Sequence, residues 1–409
     1  ILIITVLIPT VSCTSKKQET VPALFEVLES STTNLHFSNK LTPTPDFNMF
    51  KYMYFYNGAG VGAGDFNNDG KIDLFFASNQ KQNKLYLNKG SMHFEEVTAA
   101  AKIPSNGAWS TGVSVVDINN DSLLDIYISC VGNFGKLQNH NQFLICKGID
   151  KNGVPFYEDQ AKELGLAFSG FGTQASFFDY DLDGDLDAYL MNHSLRFNGT
   201  FNRRESYQNT SDSLSGDFLY RNDDGKFPAV SKQAGILGYA IGYGLGICVS
   251  DINADGWPDL YIGNDFHEND YLYINQKNGT FKELLTESMM HTSQFSMGVD
   301  VADADNDGFP EIISMDMMPG DPYILKRSLD EDGYDLFQFK RKHGYMPQFA
   351  KNALQYNRRN GMFSETAMYS HVFATDWSWA ALWTDFDNDG WPDIYVANDE
   401  EPAQLWVNQ

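Results

Sequence analysis

A nine-residue acidic loop of the form D-x-[D/N]-x-D-[G/S]-x-x-[D/E] recurs six times in the 409 residues, and a run rich in β-forming residues follows each copy. The copies begin at Asp65, Asp117, Asp179, Asp251, Asp303 and Asp385, so the starts lie 52, 62, 72, 52 and 82 residues apart. A recurrence of this period marks a repeat architecture in which each copy is one supersecondary unit.

Oxygen side chains at positions 1, 3 and 5 let a tightly curved backbone aim ligands at one point. That suits calcium, with its flexible oxygen coordination, better than the strict octahedron of magnesium. With a closing carboxylate at position 9, the expected ligands are Asp65, Asn67, Asp69 and Asp73 in the first loop and Asp117, Asn119, Asp121 and Asp125 in the second. The third offers Asp179, Asp181, Asp183 and Asp187, and the fourth Asp251, Asn253, Asp255 and Asp259. The fifth offers Asp303, Asp305, Asp307 and Glu311, and the sixth Asp385, Asp387, Asp389 and Asp393. Position 6 is glycine in five copies, as a left-handed turn requires, and Ser122 in the second, which is predicted to be the most strained and weakest site. Position 7 varies freely, as expected where the backbone carbonyl does the binding. An EF-hand needs a glutamate at position 12. Here that position is Phe76, Ile128, Leu190, Ile262, Ser314 and Val396, so the loop closes at position 9 and runs into a strand. One such loop is as readily an acidic solvated turn; six in register are not. The related string SLDEDGYDL at Ser328 is out of register and reads as a polar turn.

The net charge of -25 argues against nucleic-acid binding, which needs clustered Lys and Arg. Positions 1, 3, 5 and 9 of the loops alone hold 21 of the 54 acidic residues, so the acidity is largely a calcium inventory. Without ions, like-charge repulsion should weaken the fold. The four cysteines, Cys13, Cys130, Cys146 and Cys248, show no metal-type spacing. Cys130 and Cys146 lie on consecutive expected strands, but a simple hairpin sets Cys130 against about Gln142, so buried free thiols are expected.

Residues 1–12 are apolar and uncharged, too short to span a bilayer and suited to the core of a secretory signal. Val11-Ser12-Cys13 followed by a polar stretch resembles a bacterial lipobox, with Thr10 in place of the usual leucine. Residues 1–13 are thus expected to be a signal, cut short at the front, with Cys13 lipidated and residues 14–22 a tether; plain secretion is the competing reading. Either route places the protein outside the cytosol, and a membrane enters only through the anchor.

A glycine-rich or small-residue strand precedes each loop, and a third strand follows, as in NKLYLNKG and DYLYINQKNG, then a fourth, as in HFEEV and TFKEL. Four antiparallel strands repeated radially describe an all-β fold, a β-propeller, over residues 23–409. These residues resemble the FG-GAP and VCBS repeats of integrin α-subunits and bacterial envelope proteins. The runs DMMPGD at Asp316, GYMPQFAKNALQ to Gln355 and ATDWSWAALWTDFDNDGWPD from Ala374 resemble large bacterial VCBS-repeat proteins with a C-terminal ASPIC/UnbV domain. The resemblance implies seven blades in a full-length protein, against six visible loops, and truncation at the C-terminus. It also implies calcium-ligand roles for the residues above, with Asn67, Asn119, Asn253, Ser122 and Glu311 as departures. Residues 24–29, LFEVLE, are expected to close the ring as a fourth strand on the last blade.

Insertions at 193–216 and 316–351 interrupt the repeat, the second with a helical pattern from Tyr323, and long loops on a rigid scaffold are often functional. No GxSxG, HExxH, Walker loop or sialidase-type Asp box is present, and His193, His267 and His343 read as surface or loop residues rather than a triad. The expectation is a non-enzymatic calcium-stabilised scaffold for a protein or glycan; the rival is a polysaccharide lyase or glycosidase.

Overall fold

The computed structural model describes residues 26–195, 203–207, 210–328, 332–399 and 402–408. The signal and tether, and parts of the two insertions including the middle of SLDEDGYDL, lie outside them. The chain forms six antiparallel blades of the four-stranded type. The inner strands are Val61–Gly64, Trp109–Val116, Gly172–Phe178, Gly244–Ser250, Val299–Ala302 and Asp376–Thr384. Each leads into an acidic loop, and every second strand begins on that loop's ninth residue: Asp73, Asp125, Asp187, Asp259, Glu311 and Asp393. The third strands are Lys84–Asn88, Gln142–Ile149, Phe218–Tyr220, Tyr271–Asn275, Ala353–Asn357 and Gln404–Trp406.

The second strands of blades 2 to 5 are buried on both faces, which explains their near-continuous apolar runs. Alternate residues serve different cores. Ile126 and Ile128 pack with Phe75 and Leu85 of blade 1, whereas Tyr127 between them packs with Ala175 and Leu190 of blade 3. In blade 4, Leu260 and Ile262 face Tyr189 and Met191, and Tyr261 faces Ile312 of blade 5. Ile313 in turn meets Ile394 and Val396 of blade 6.

Around the axis, backbones approach too closely for side chains. A Cβ on Gly298 would lie 2.5 Å from the Trp379 carbonyl oxygen, and one on Gly246 would lie 2.7 Å from the Val299 nitrogen. The equivalent position, five before the loop, is Gln174 in blade 3 and Ala380 in blade 6.

Two blades depart from the expected pattern. Blade 3 has three strands, with an isolated bridge Tyr220–Ala229 where the fourth would run. Blade 6 is completed from the inside, where Met317–Met318 pairs with Trp377 and Asp376. The expectation that residues 24–29 form a strand on blade 6 is not met by the described part, residues 26–29, which has no strand. Val27 is 90% exposed, so the alternate burial that a blade strand needs is missing. The chain instead turns at Ser30–Thr33 and is tied to blade 1: Asn34 Nδ2 donates to the Phe94 carbonyl at 2.9 Å, and Phe37 stacks on Phe76. The second insertion is helical as expected, over Pro322–Ser328 and Tyr334–Lys342. Cys130, Cys146 and Cys248 are free thiols, the first two buried. Gln142 sits opposite Ile128, not Cys130, because the connecting loop is longer than a simple hairpin.

Candidate metal centre

The six loops share one hydrogen-bond scheme. The position-1 carboxylate accepts the N–H groups of positions 5 and 6: Asp65 from Asp69 at 2.9 Å and Gly70 at 2.7 Å, and Asp385 from Asp389 at 3.0 Å and Gly390 at 2.9 Å. Position 6 has positive φ throughout, 83° at Gly70 and 67° at Ser122. Position 4 does too, from Asn68 at 54° to Asn388 at 60°, and the sequence reading missed this because Leu182 and Ala254 occupy it in two loops. The position-5 carboxylate accepts the N–H of position 7, as Asp307 does from Phe309 at 2.9 Å.

Position 9 joins the loop to the blade. Asp259 Oδ2 accepts the Ile252 N–H at 3.0 Å and its Oδ1 accepts the Asn275 N–H at 2.7 Å. The same pair of bonds recurs at Asp73, Asp125, Asp187, Glu311 and Asp393. Burial pushes the Asp187, Asp259 and Glu311 carboxyls up to about 7 and those of Asp73 and Asp125 to about 6. The two backbone donors oppose the shift, and neighbouring aspartates add to it.

Carboxylate oxygens from positions 1, 3 and 9 lie within 4.8 Å of one another in three loops: Asp179, Asp181 and Asp187; Asp303, Asp305 and Glu311; Asp385, Asp387 and Asp393. In the other loops Asn67, Asn119 and Asn253 hold position 3. Two position-3 oxygens, Asp181 Oδ1 and Asp305 Oδ1, are buried without a hydrogen-bond partner. A buried carboxylate oxygen facing other carboxylates fits a hard cation. Position 5 is not drawn into these groups. In loops 1, 4 and 5 a cation pairs with it instead: Lys71 with Asp69 at 3.0 Å, Lys277 with Asp255 at 3.4 Å, and Arg359 with Asp307.

A second set of residues escaped the sequence reading. Asn88, Asn275 and Asn357 end their third strands and Asn222 and Asn408 follow theirs by two residues, and three of the five stitch blades together. Asn275 Nδ2 donates to the Tyr180 carbonyl of the preceding blade at 2.8 Å, Asn357 to Ile252 at 2.9 Å and Asn408 to Ala304 at 2.7 Å. The recurrent asparagine after each LYLN-like run was the available signal; Cys146 takes its place in blade 2.

The opposite end of the propeller carries the insertions, and they converge on the turn 266–269. Arg204 from the first forks onto Glu268, Nη2 to Oε1 at 2.7 Å, and Tyr271 donates to the same oxygen at 3.1 Å. From the second, Met346 N–H donates to Asn269 at 2.9 Å and Gln348 Nε2 to the Glu268 carbonyl at 2.9 Å. Arg204 and Glu268 are 7% and 2% exposed, so the pair braces the insertions and lines no open site. His193 and His343 are buried, contrary to a surface reading. His193 lies beside an axial cavity of about 510 Å³ lined by the inner strands of blades 2 to 6 and by Asn57, Gly58, Ala59 and Gly60 leading into the first, with Nε2 3.1 Å from the Tyr52 hydroxyl. Burial lowers its pKa to about 3, leaving it neutral.

A family model of the FG-GAP-like repeat matches residues 65–128, 251–314 and 343–396, each match taking in an acidic loop or the strands around one. The chain is a β-propeller carrying FG-GAP-like repeats. It is similar to cartilage acidic protein 1, at 27% identity over 139 residues in Xenopus tropicalis and 29% over 137 residues in Homo sapiens. These matches cover 33% of this chain and 21% and 20% of those proteins, so it spans about a fifth of the length of the curated relatives it matches. Among solved structures, an Agrocybe aegerita lectin recognising non-reducing terminal N-acetylglucosamine is similar at TM-score 0.44 and 13% identity, over 85% of this chain and 80% of that one. The exotype rhamnogalacturonan lyase YesX is similar at TM-score 0.39 and 12% identity, over 86% and 55%. Among the described residues no helix is long and apolar enough to cross a membrane.

Proposed function

We propose that this protein is a calcium-stabilised, extracytoplasmic binding scaffold that engages a protein or glycan and has no catalytic role. The observation that carries the reading is the convergence of positions 1, 3 and 9, with the orphaned oxygens of Asp181 and Asp305 among them. In each loop these residues would hold the ion, with position 5 completing the set through the oxygens left by its hydrogen bonds. Calcium bound there supplies charge neutralisation and rigidity. Elemental analysis of protein purified in calcium and dialysed against calcium-free buffer tests this: about six calcium ions per chain are expected, and none would refute it.

The same reading takes the chain as part of a bacterial VCBS-repeat envelope protein with an ASPIC/UnbV domain, anchored through lipid on Cys13. Metabolic palmitate labelling that is lost in Cys13→Ser supports the anchor; equal labelling of both proteins overturns it. The rival, a polysaccharide lyase or glycosidase, would need a convergent pair of carboxylates or a basic residue outside the calcium loops. Release of unsaturated or reducing ends from a polysaccharide panel would establish it in place of the scaffold reading.

A further inference from the structure

We propose that the outer edge of blade 3 holds a binding site for a neutral pyranose sugar. The proposal deepens the scaffold reading and rests on it for the class of ligand. In blades 1, 4 and 5 the fourth strand reads Phe-x-Glu, and Glu96, Glu283 and Glu365 stand opposite Tyr86, Tyr273 and Gln355. Blade 3 departs from this twice. Phe227 is followed by Pro228, which has no N–H for a strand ladder. Ala229 then stands opposite Tyr220, where the glutamate would be.

A cleft of about 810 Å³ opens at this edge, with Ala229 in its lining. That volume falls in the roughly 300–1,000 Å³ range of small-molecule sites. The first insertion contributes Ser211 and Ser213, the third strand Phe218, and the turn into blade 4 Gln233 and Tyr239. Two aromatic side chains offer apolar walls to the C–H faces of a sugar ring, and the hydroxyls and amide offer partners to its own hydroxyls. Asp212, Asp217 and Lys232 also line the cleft, with the Asp217 oxygens committed to the Tyr189 hydroxyl and the Asn192 N–H, so no positive charge prevails to draw an anion and an uncharged ligand fits best.

Tyr239 is set in place before any ligand arrives. Its backbone bridges to Ser211, and the Arg204 guanidinium, locked on Glu268, lies 5.9 Å from its ring centroid. A wall fixed in this way lowers the ordering cost of binding. The blade whose fourth strand is reduced to a single bridge is also the one whose edge the first insertion borders.

Saturation-transfer NMR with the methyl glycosides of glucose, galactose, mannose and N-acetylglucosamine, and with methyl glucuronide as the charged comparison, tests the site. Ala229→Glu restores the residue of blades 1, 4 and 5 and so keeps the blade compatible with its fold. The expected result is transfer to at least one neutral glycoside, with affinity falling about tenfold or more in Ala229→Glu and several-fold in the exposed-residue variant Gln233→Ala. No transfer to any neutral glycoside, or transfer to the glucuronide alone, overturns the proposal. Equal binding by wild type and both variants overturns it too, placing the sugar elsewhere on a scaffold that itself survives. The calcium stoichiometry tests that scaffold separately.

Discussion

Chelating calcium should bring this propeller close to unfolding. In blades 3, 5 and 6, three carboxylates lie within 4.8 Å of one another. Two like charges at that distance repel by roughly 3.5 kcal/mol at an effective dielectric of about 20, and water reaching the half-open loops lowers this. Each bound ion, at tenfold above its Kd, contributes about 1.4 kcal/mol, and six contribute about 8 kcal/mol. The whole stability of a typical domain is about 5–15 kcal/mol, so losing the ions removes much of it. Urea titrations followed by tryptophan fluorescence, in calcium and in chelator, measure the difference, and magnesium should restore little of it. Acidification adds a second readout. Without metal, Asp187, Asp259 and Glu311 have folded-state pKa values of about 7, above their unfolded values. Their stabilising contribution is present below the unfolded pKa and is lost as pH rises through about 7. Metal-free protein should therefore weaken from pH 5 to pH 8. Calcium-loaded protein should do the reverse, because the ion holds these groups ionised and acid displaces it. Equal urea midpoints with and without chelator, and parallel pH slopes, would refute the reasoning.

Three further outcomes follow from individual residues. Gly298→Ala forces a Cβ against the Trp379 carbonyl of the next blade and should cost about 1–3 kcal/mol in urea unfolding, whereas exposed Gly333→Ala, with nothing within 4 Å of its Cβ, should cost little. Asp217 is buried, with its carboxyl pushed up to about 7 by burial against donors from Asn192 and Tyr189. Its contribution is lost as pH rises through about 7, so Asp217→Asn, which copies Asn141 of blade 2, should raise stability above pH 8 by on the order of 2–4 kcal/mol and leave pH 5 nearly unchanged. Ser122→Gly relieves a non-glycine φ of 67° and should stabilise the fold by about 1 kcal/mol, with tighter calcium binding at the second loop by calorimetry.

Much of this fold was written in local pattern. The period of the acidic loops, the strand after each one and the freedom of position 7 follow from chain geometry within nine residues, so sequence alone determined the repeat, its β-class and the residues that converge at positions 1, 3 and 9. It also marked position 6 as left-handed, because glycine there is a local signal. What tertiary structure decided depends on pairs far apart in the chain. The inner glycines are required by the next blade's backbone, and the third-strand asparagines reach the preceding blade's loop carbonyls. His193 is buried because Tyr52 and Tyr54, about 140 residues earlier in the chain, and Phe171 pack around its ring. Arg204 and Glu268, 64 residues apart, meet as a buried pair only once the insertions fold onto one turn. The cleft of blade 3 likewise exists because Pro228 and Ala229 fail a pairing that can be judged only against the strand beside them.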